Sequence, residues 1–188
     1  MDSPDIASQF FPDGRSRDRW LMLLLFSPAA LGLAWRSLPE SLDYRLLSGA
    51  ILLLLLEQAR MAVIDLQSIA TVQPQAPKGL ERFRWITWST IILELIGFYA
   101  AIGYLGLGTL LALLSQLWFH LLAGIEIDVA ASEPVRVRSF SQRRAVLAAD
   151  LFGVALTISW QLKIWPLMAA CALLLILLVY FLGKYVWP

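Results

Sequence analysis

The sequence predicts an all-α protein: a polytopic integral membrane helical bundle with about six transmembrane helices and both termini in the cytoplasm. Two observations predict this class. First, 59% of the 188 residues are hydrophobic and only 15% are charged, whereas soluble domains are typically about 45–50% apolar and about 25% charged. Second, the apolar residues fall in blocks of about 20 residues, the length with which a helix crosses roughly 30 Å of hydrocarbon.

The apolar blocks define the expected elements in order. We predict spans at about residues 20–38, 46–64, 85–103, 105–125, 145–162 and 164–183. An extension of the second helix by a turn or two into the cytoplasm stays open. The first and fifth blocks are short, and Pro28 predicts a kink in the first. Residues 20–187 would form one transmembrane domain, preceded by a polar segment, residues 1–19, that is predicted to be flexible.

The basic residues test the number of spans. Arg60 lies inside a span, and a cytoplasmic N-terminus with six spans places Arg36, Arg45 and Lys163 on the opposite side. The other eleven fall on the cytoplasmic side: Arg15, Arg17, Arg19, Lys78, Arg82, Arg84, Arg136, Arg138, Arg143, Arg144 and Lys184. This is the bias of the positive-inside rule, and one span more or fewer would destroy it.

Ionisable side chains inside the spans are the main candidates for a functional site, because they are costly in hydrocarbon. Measured along the helices at 1.5 Å per residue, six polar residues fall in one layer about 6–14 Å below the cytoplasmic edge. This predicted intramembrane polar cluster comprises Glu57, Arg60, Glu94, Gln116, His120 and Asp150. Asp65 is left out, because it falls at the cytoplasmic edge where water reaches it.

Charge counting predicts that the cluster is unbalanced. Glu57, Glu94 and Asp150 offer three negative charges, whereas Arg60 is its only fixed positive charge. Glu57 and Arg60 are three residues apart and can pair on one helix face. We therefore expect at least one acid to be protonated, paired with a partner protein or a bound cation, or open to water. A structural role, a proton or ion site and a subunit contact all stay open.

Motifs for metals, cofactors and catalysis are missing from the sequence. Cys171 is the only cysteine and His120 the only histidine, which excludes zinc motifs and sites that need several histidines. Two roles stay open for His120: a hydrogen bond to Glu57, Glu94 or Asp150, or axial ligation of a haem or pigment. The first is favoured, so no cofactor is predicted. Without a nucleophile–base pair or a phosphate loop, no enzymatic activity is predicted.

Two weaker patterns concern surfaces and packing. The cytoplasmic basic loop comprises Arg136, Arg138, Arg143 and Arg144. Its arginines are better explained by the positive-inside rule than by docking to an acidic partner or to anionic lipid. The net charge of +1 gives no sign of nucleic-acid binding.

Small residues four apart, at Gly97 and Ala101 and again at Ala149 and Gly153, predict close helix contacts. The sixth span is expected to face lipid.

Two blocks carry a resemblance. SQLWFHLLAGIEI (residues 115–127) and RRAVLAADLFGVAL (residues 143–156) resemble segments of uncharacterised polytopic membrane proteins of cyanobacteria. The resemblance implies a location in the plasma membrane or the thylakoid membrane. It assigns no catalytic or binding residue.

Taken together, these features predict a non-enzymatic accessory, assembly or scaffolding protein of a larger membrane complex. Its expected partners are the lipid bilayer and a membrane protein or a second copy of the chain. The alternative is a small proton- or cation-coupled transporter that uses the intramembrane carboxylates. Helix packing distinguishes the two: acids that converge on a cavity favour transport, whereas acids that point at lipid favour a missing partner.

Overall fold

The residues that the structure describes form six helices and confirm the predicted all-α class. The computed structural model describes residues 14–75, 78–127, 129, 135–137 and 139–185. The helices are α1 (Gly14–Ser37), α2 (Leu42–Val72), α3 (Leu80–Gly103), α4 (Leu105–Leu122), α5 (Phe140–Gln161) and α6 (Pro166–Tyr185). Most of the predicted flexible segment, residues 1–13, lies outside the described residues, as do Arg138 and the side chains of Arg15 and Arg17. Residues 14–19, which we assigned to that segment, are helical.

Five of these helices are long and apolar enough to cross a membrane. The stretches with this property are Arg19–Ser37, Leu42–Gln75, Leu80–Gly103, Leu105–Leu122 and Pro166–Tyr185. Helix α5 has 22 residues but is more polar, because it carries Arg143, Arg144 and Asp150. It begins at Phe140, five residues before the predicted fifth span, where the backbone N–H of Ser139 donates to the side chain of Gln142 at 3.0 Å. That contact is half of a capping box, a common helix start.

Helix α2 is much longer than the second predicted span. Its 31 residues correspond to about 46 Å at 1.5 Å per residue, well beyond a hydrocarbon core of roughly 30 Å. Its last turns pack in a second apolar cluster, in which Ile69 and Val72 meet Leu80 and Phe83 of α3. This packing continues the helix past Asp65. A 3₁₀ turn, Gln73–Gln75, follows, since Pro74 cannot extend an α-helix.

A short β-hairpin, which we did not predict, links α4 to α5. Strand β1 (Ile125–Ile127) pairs antiparallel with β2 (Val135–Val137), with Glu126 opposite Arg136. Ile125 and Ile127 pack against the second apolar cluster. The predicted fourth span, which we ended at residue 125, therefore stops as a helix at Leu122.

Helices α2 to α6 pack in a closed ring. Each contacts the next in sequence, and α6 returns to contact α2. Helix α1 lies outside this ring, against α2 and α3, where Phe26 packs on Phe98 with ring centroids 5.9 Å apart. The ring is the feature that positions the candidate site.

The tightest helix contact in the ring joins α3 to α4, which are separated only by Tyr104. A Cβ atom at Gly97 would lie 2.7 Å from the backbone nitrogen of Ala112, and one at Gly108 would lie 2.2 Å from that of Ala101. The predicted close contact at Gly97 and Ala101 is thus confirmed, because only glycine allows these backbones to approach.

The second predicted small-residue contact, at Ala149 and Gly153, does not bring two helix backbones close together, so that prediction is wrong. A Cβ atom at Gly153 would meet side-chain atoms of Leu113 and Leu173 at 3.5 Å, which is ordinary van der Waals contact. Here the neighbouring helices are separated by leucine side chains, so Gly153 does not bring two backbones together.

Candidate functional site

A cavity of about 420 Å³ lies inside the ring, and all five ring helices line it. Of the described residues, none from α1 takes part in the lining. Five members of the predicted polar cluster reach this cavity: Glu57, Glu94, Gln116, His120 and Asp150. The sixth, Arg60, binds Glu57 from outside the lining. The acids therefore converge inward from α2, α3 and α5.

Glu57 is the most heavily bonded acid of the cavity. It is only 3% exposed. Arg60 donates from Nη2 to Oε1 at 2.8 Å and from Nε to Oε2 at 3.1 Å. This is the predicted pair, and its bidentate form is the geometry in which a guanidinium best satisfies a buried carboxylate.

Two further donors reach Glu57 from the end of α6. Lys184 Nζ donates to Oε1 at 2.5 Å, and the Tyr185 hydroxyl donates to Oε2 at 2.7 Å. The Tyr185 ring also lies under the Arg60 guanidinium, 5.4 Å from its centroid. The expectation that Arg60 is the only fixed positive charge near the cluster is therefore wrong. The sequence signal was weak, because a lysine at the end of an apolar span reads equally well as a topology marker.

The sixth helix is correspondingly not a purely lipid-facing element. Tyr180 and Phe181 line the cavity, and Tyr180 accepts a hydrogen bond from Lys184 at 3.2 Å. Ala169, Ala170 and Leu173 are buried in the bundle. One face of α6 thus completes the ring, while most of its remaining surface is exposed.

Glu94 sits deep in the α3 wall and has no positively charged partner in the part of the chain that the structure describes. It is 2% exposed, and the side-chain amide of Gln116 on α4 donates to its Oε1. An amide satisfies one lone pair of the carboxyl group but supplies no net charge. The structure therefore joins these two predicted residues without neutralising Glu94.

His120 and Asp150 form a pair between α4 and α5. His120 Nδ1 lies 2.7 Å from Asp150 Oδ2, so the favoured role of His120, a hydrogen bond to a neighbouring acid, is present in the structure. Arg143 Nη1 donates to the backbone oxygen of His120 at 2.6 Å, where a positive charge complements the C-terminal end of α4. The pair is held in place from both helices.

Asp65 belongs to the cavity, contrary to its exclusion from the predicted cluster. It lines the same space as Glu94, and the two carboxyl groups interact electrostatically. We excluded Asp65 because we ended the second span too early; the longer α2 carries it along the cavity wall. Asp65 makes no hydrogen bond or ion pair with any residue that the structure describes.

The charge balance of the site changes accordingly. Counting Asp65 and Lys184, four acids now face two fixed positive charges. Both positive charges contact Glu57, and Asp150 has His120. Of the four acids, Asp65 and Glu94 make no ion pair with any residue that the structure describes.

The described arginines of the cytoplasmic basic loop lie on different elements. Arg136 lies on β2 and Arg144 is exposed near the start of α5, whereas Arg143 is half-buried against the end of α4. Arg138 lies outside the described residues. The three described arginines therefore occupy different surroundings, and Arg143 has a structural contact that the sequence did not reveal.

The described residues contain no group of three or more His, Cys, Asp or Glu side chains that could hold a metal ion. Comparison with known proteins gives no match either, whether to a family model, to the curated proteins or to the solved structures. The class defined by the fold is a helical protein with several helices able to cross a membrane.

Proposed function

We propose that this protein is a multi-pass membrane protein whose ring of helices forms a small proton- or cation-coupled carrier. The observation that carries the proposal is the inward convergence of Glu57, Asp65, Glu94 and Asp150 on one cavity. Acids that pointed at lipid would instead have favoured a missing partner subunit. Intramembrane carboxyl groups around a cavity are typical of proton and ion pathways.

The proposed topology has six spans with both termini in the cytoplasm, in a plasma membrane or a thylakoid membrane. Five helices have the required length and composition. The sixth span would be α5, whose 22 residues extend about 33 Å, enough to cross the hydrocarbon core. Two of its three charged groups support this placement, because Asp150 faces the cavity and Arg143 contacts the end of α4.

Within this carrier, two groups of residues have different tasks. Glu57 is fully bonded by Arg60, Lys184 and Tyr185, so it is suited to closing the ring where α2 meets α6. Asp65 and Glu94 line the cavity without an ion pair to any described residue, and are suited to taking up a proton or another cation. A cation there would restore the charge balance that the protein itself leaves open.

Reconstituted liposomes test the carrier function. Proton or sodium flux should be abolished by Glu94→Gln, which keeps the shape of the side chain and removes its charge. Glu81→Gln is the matched control, because Glu81 is exposed and paired with Arg84 at 2.7 Å outside the cavity lining. Unchanged flux in Glu94→Gln, or no flux of any tested cation through the wild type, would contradict the proposal.

The second candidate is an accessory or assembly role in a larger membrane complex, without enzymatic activity. It is favoured by the small amount of structure outside the helices: among the described residues, only turns and one short hairpin connect them. The expected partner is a membrane protein or a second copy of the chain. Affinity purification in mild detergent should then recover a stable partner, whereas a lone monomer would count against this role.

A further inference from the structure

Two buried hydroxyl groups in the cavity wall lack partners. Thr87 and Thr90 are 2% and 6% exposed, so both are more than nine-tenths buried, and both line the cavity. Neither Oγ1 atom has a hydrogen-bond partner among the described residues. Burying a hydroxyl group without a hydrogen bond is costly, and a ligand in the cavity would remove that cost.

Other threonines of the same protein show what the ordinary arrangement is. Thr109 donates to the backbone oxygen of Leu105 at 2.7 Å, and Thr157 donates to that of Gly153 at 2.9 Å. Both are bonds to the carbonyl four residues earlier, the usual solution for a threonine inside a helix. Thr87 and Thr90 occupy comparable helical positions but make no such bond. Their hydroxyls therefore stay without the intrahelical bond that satisfies the other two.

These hydroxyls belong to a stripe on α3 that ends in a carboxyl group. Thr87, Thr90 and Glu94 follow one another at spacings of three and four residues, which places them on one helix face. Asp65 of α2 lines the same cavity. This side of the cavity therefore combines two buried hydroxyl groups that lack a hydrogen-bond partner among the described residues with the two acids that make no ion pair there.

The remaining wall restricts the chemistry of a ligand. It is mainly apolar, with Leu113, Leu173, Ile176 and Leu177 and the rings of Phe119 and Phe181. At about 420 Å³ the cavity has the size of small-molecule sites, typically about 300–1,000 Å³, which are apolar with a few polar groups. A ligand that matches both sides is an organic cation: a charged group for the acids and an apolar body for the leucines and aromatic rings.

We propose that the cavity binds an organic amine, with its ammonium group between the α3 stripe and Asp65 and its apolar body against α4 and α6. The N–H groups would donate to the hydroxyl oxygens of Thr87 and Thr90 and to the carboxylates. The inference rests on the carrier function proposed for the same cavity and names the class of its substrate.

Binding to the detergent-purified full chain tests the site. Phenethylamine is the probe, and 2-phenylethanol, which has a similar body without the charge, is the matched ligand control. Phenethylamine should raise the thermal midpoint and 2-phenylethanol should not. The variants are Asp65→Asn and the isosteric pair Thr87→Val with Thr90→Val. Thr157→Val is the protein control, because its hydroxyl is already bonded and it does not line the cavity.

Calorimetric titration should show at least about tenfold weaker phenethylamine binding in Asp65→Asn, since loss of a charge-assisted hydrogen bond costs about that much. The threonine pair should weaken binding several-fold, and Thr157→Val should leave it unchanged. If the threonine pair fails to fold, Asp65→Asn alone decides. Equal binding of 2-phenylethanol, equal binding by Asp65→Asn, or full stabilisation by sodium chloride alone would overturn the proposal.

Flux measurements separate this inference from the carrier function. Proton or sodium flux that Glu94→Gln abolishes, without any phenethylamine binding, would overturn the amine site and leave the carrier. Phenethylamine binding without flux of any cation would support the amine site and overturn the carrier.

Discussion

Lys184 at the end of α6 donates a hydrogen bond to Glu57 in the middle of α2, with 2.5 Å between Nζ and Oε1. The two residues are 127 positions apart in the sequence, yet this contact is where the ring of helices closes. Arg60 and Tyr185 occupy the remaining positions around the carboxylate. The joint between the second and the last helix is therefore polar, whereas most of the other helix contacts are apolar.

Removing this joint should destabilise the bundle without unfolding it. We expect Lys184→Met to lower the free energy of unfolding by about 1–3 kcal/mol, the usual cost of removing one charged partner from a buried carboxylate. Thermal melting in detergent measures the effect, and Lys184→Arg should recover much of it. Lys163→Met is the control, because the Lys163 ammonium lies over the Trp160 ring, 4.7 Å from its centroid, rather than on a buried carboxylate. Equal losses in Lys184→Met and Lys163→Met would show that the contact with Glu57 is unimportant.

A single methyl group should disrupt the contact between α3 and α4. Gly108→Ala would place Cβ 2.2 Å from the backbone nitrogen of Ala101, so the helices must move apart. We expect a loss of about 2–3 kcal/mol, at the upper end of the cost of overpacking. Gly49→Ala is the matched control, since nothing lies within 4 Å of the added carbon. There alanine should be neutral or slightly stabilising, because it is the better helix former. A Gly108→Ala protein that melts like the wild type would contradict this packing.

The indole of Trp160 should contribute a measurable hydrogen bond between α5 and α2. Its N–H donates to Asp43 at 2.9 Å, and the side chain is 7% exposed. Trp160→Phe keeps an aromatic ring but loses the donor, so we expect a loss of about 1–2 kcal/mol. Trp35→Phe provides the comparison, because Trp35 is largely exposed. The prediction fails if chemical denaturation in detergent gives the same stability for both variants.

The side of the membrane on which each end of α5 lies can be measured directly. Cys171 is the only cysteine, so Cys171→Ser gives a background without thiols. Added to it one at a time, Arg144→Cys and Lys163→Cys should react with a membrane-impermeant maleimide from opposite sides. Arg144→Cys should react from the cytoplasmic side, as the positive-inside rule requires. Labelling of both from the same side would mean that α5 does not cross the membrane, and the proposed six-span topology would be wrong.

The all-α class and the positions of the helices could be predicted from the sequence because apolar block length is a local property. The full length of α2 could not be predicted in this way. Asp65 marked the end of the apolar run, but the helix continues because Ile69 and Val72 pack against α3 and the hairpin. That packing involves residues far apart in the sequence, and hydropathy describes only a local stretch of residues.

The candidate site, too, could be predicted only in part from the sequence. Depth along each helix predicted that Glu57, Glu94, His120 and Asp150 share a layer, since depth follows from residue count alone. The partners of each acid depend on which helices are neighbours. The sequence therefore could not assign Gln116 to Glu94, Asp150 to His120 or Lys184 to Glu57.

The distance in sequence between Glu57 and Lys184 has a consequence for biogenesis. At 5–20 residues per second, the ribosome needs about 6–25 s to synthesise the 127 residues that separate them. During that interval Arg60 is the only one of the three final partners of Glu57 to have been translated. A nascent protein released before its last helix would leave this buried acid with one of its three partners.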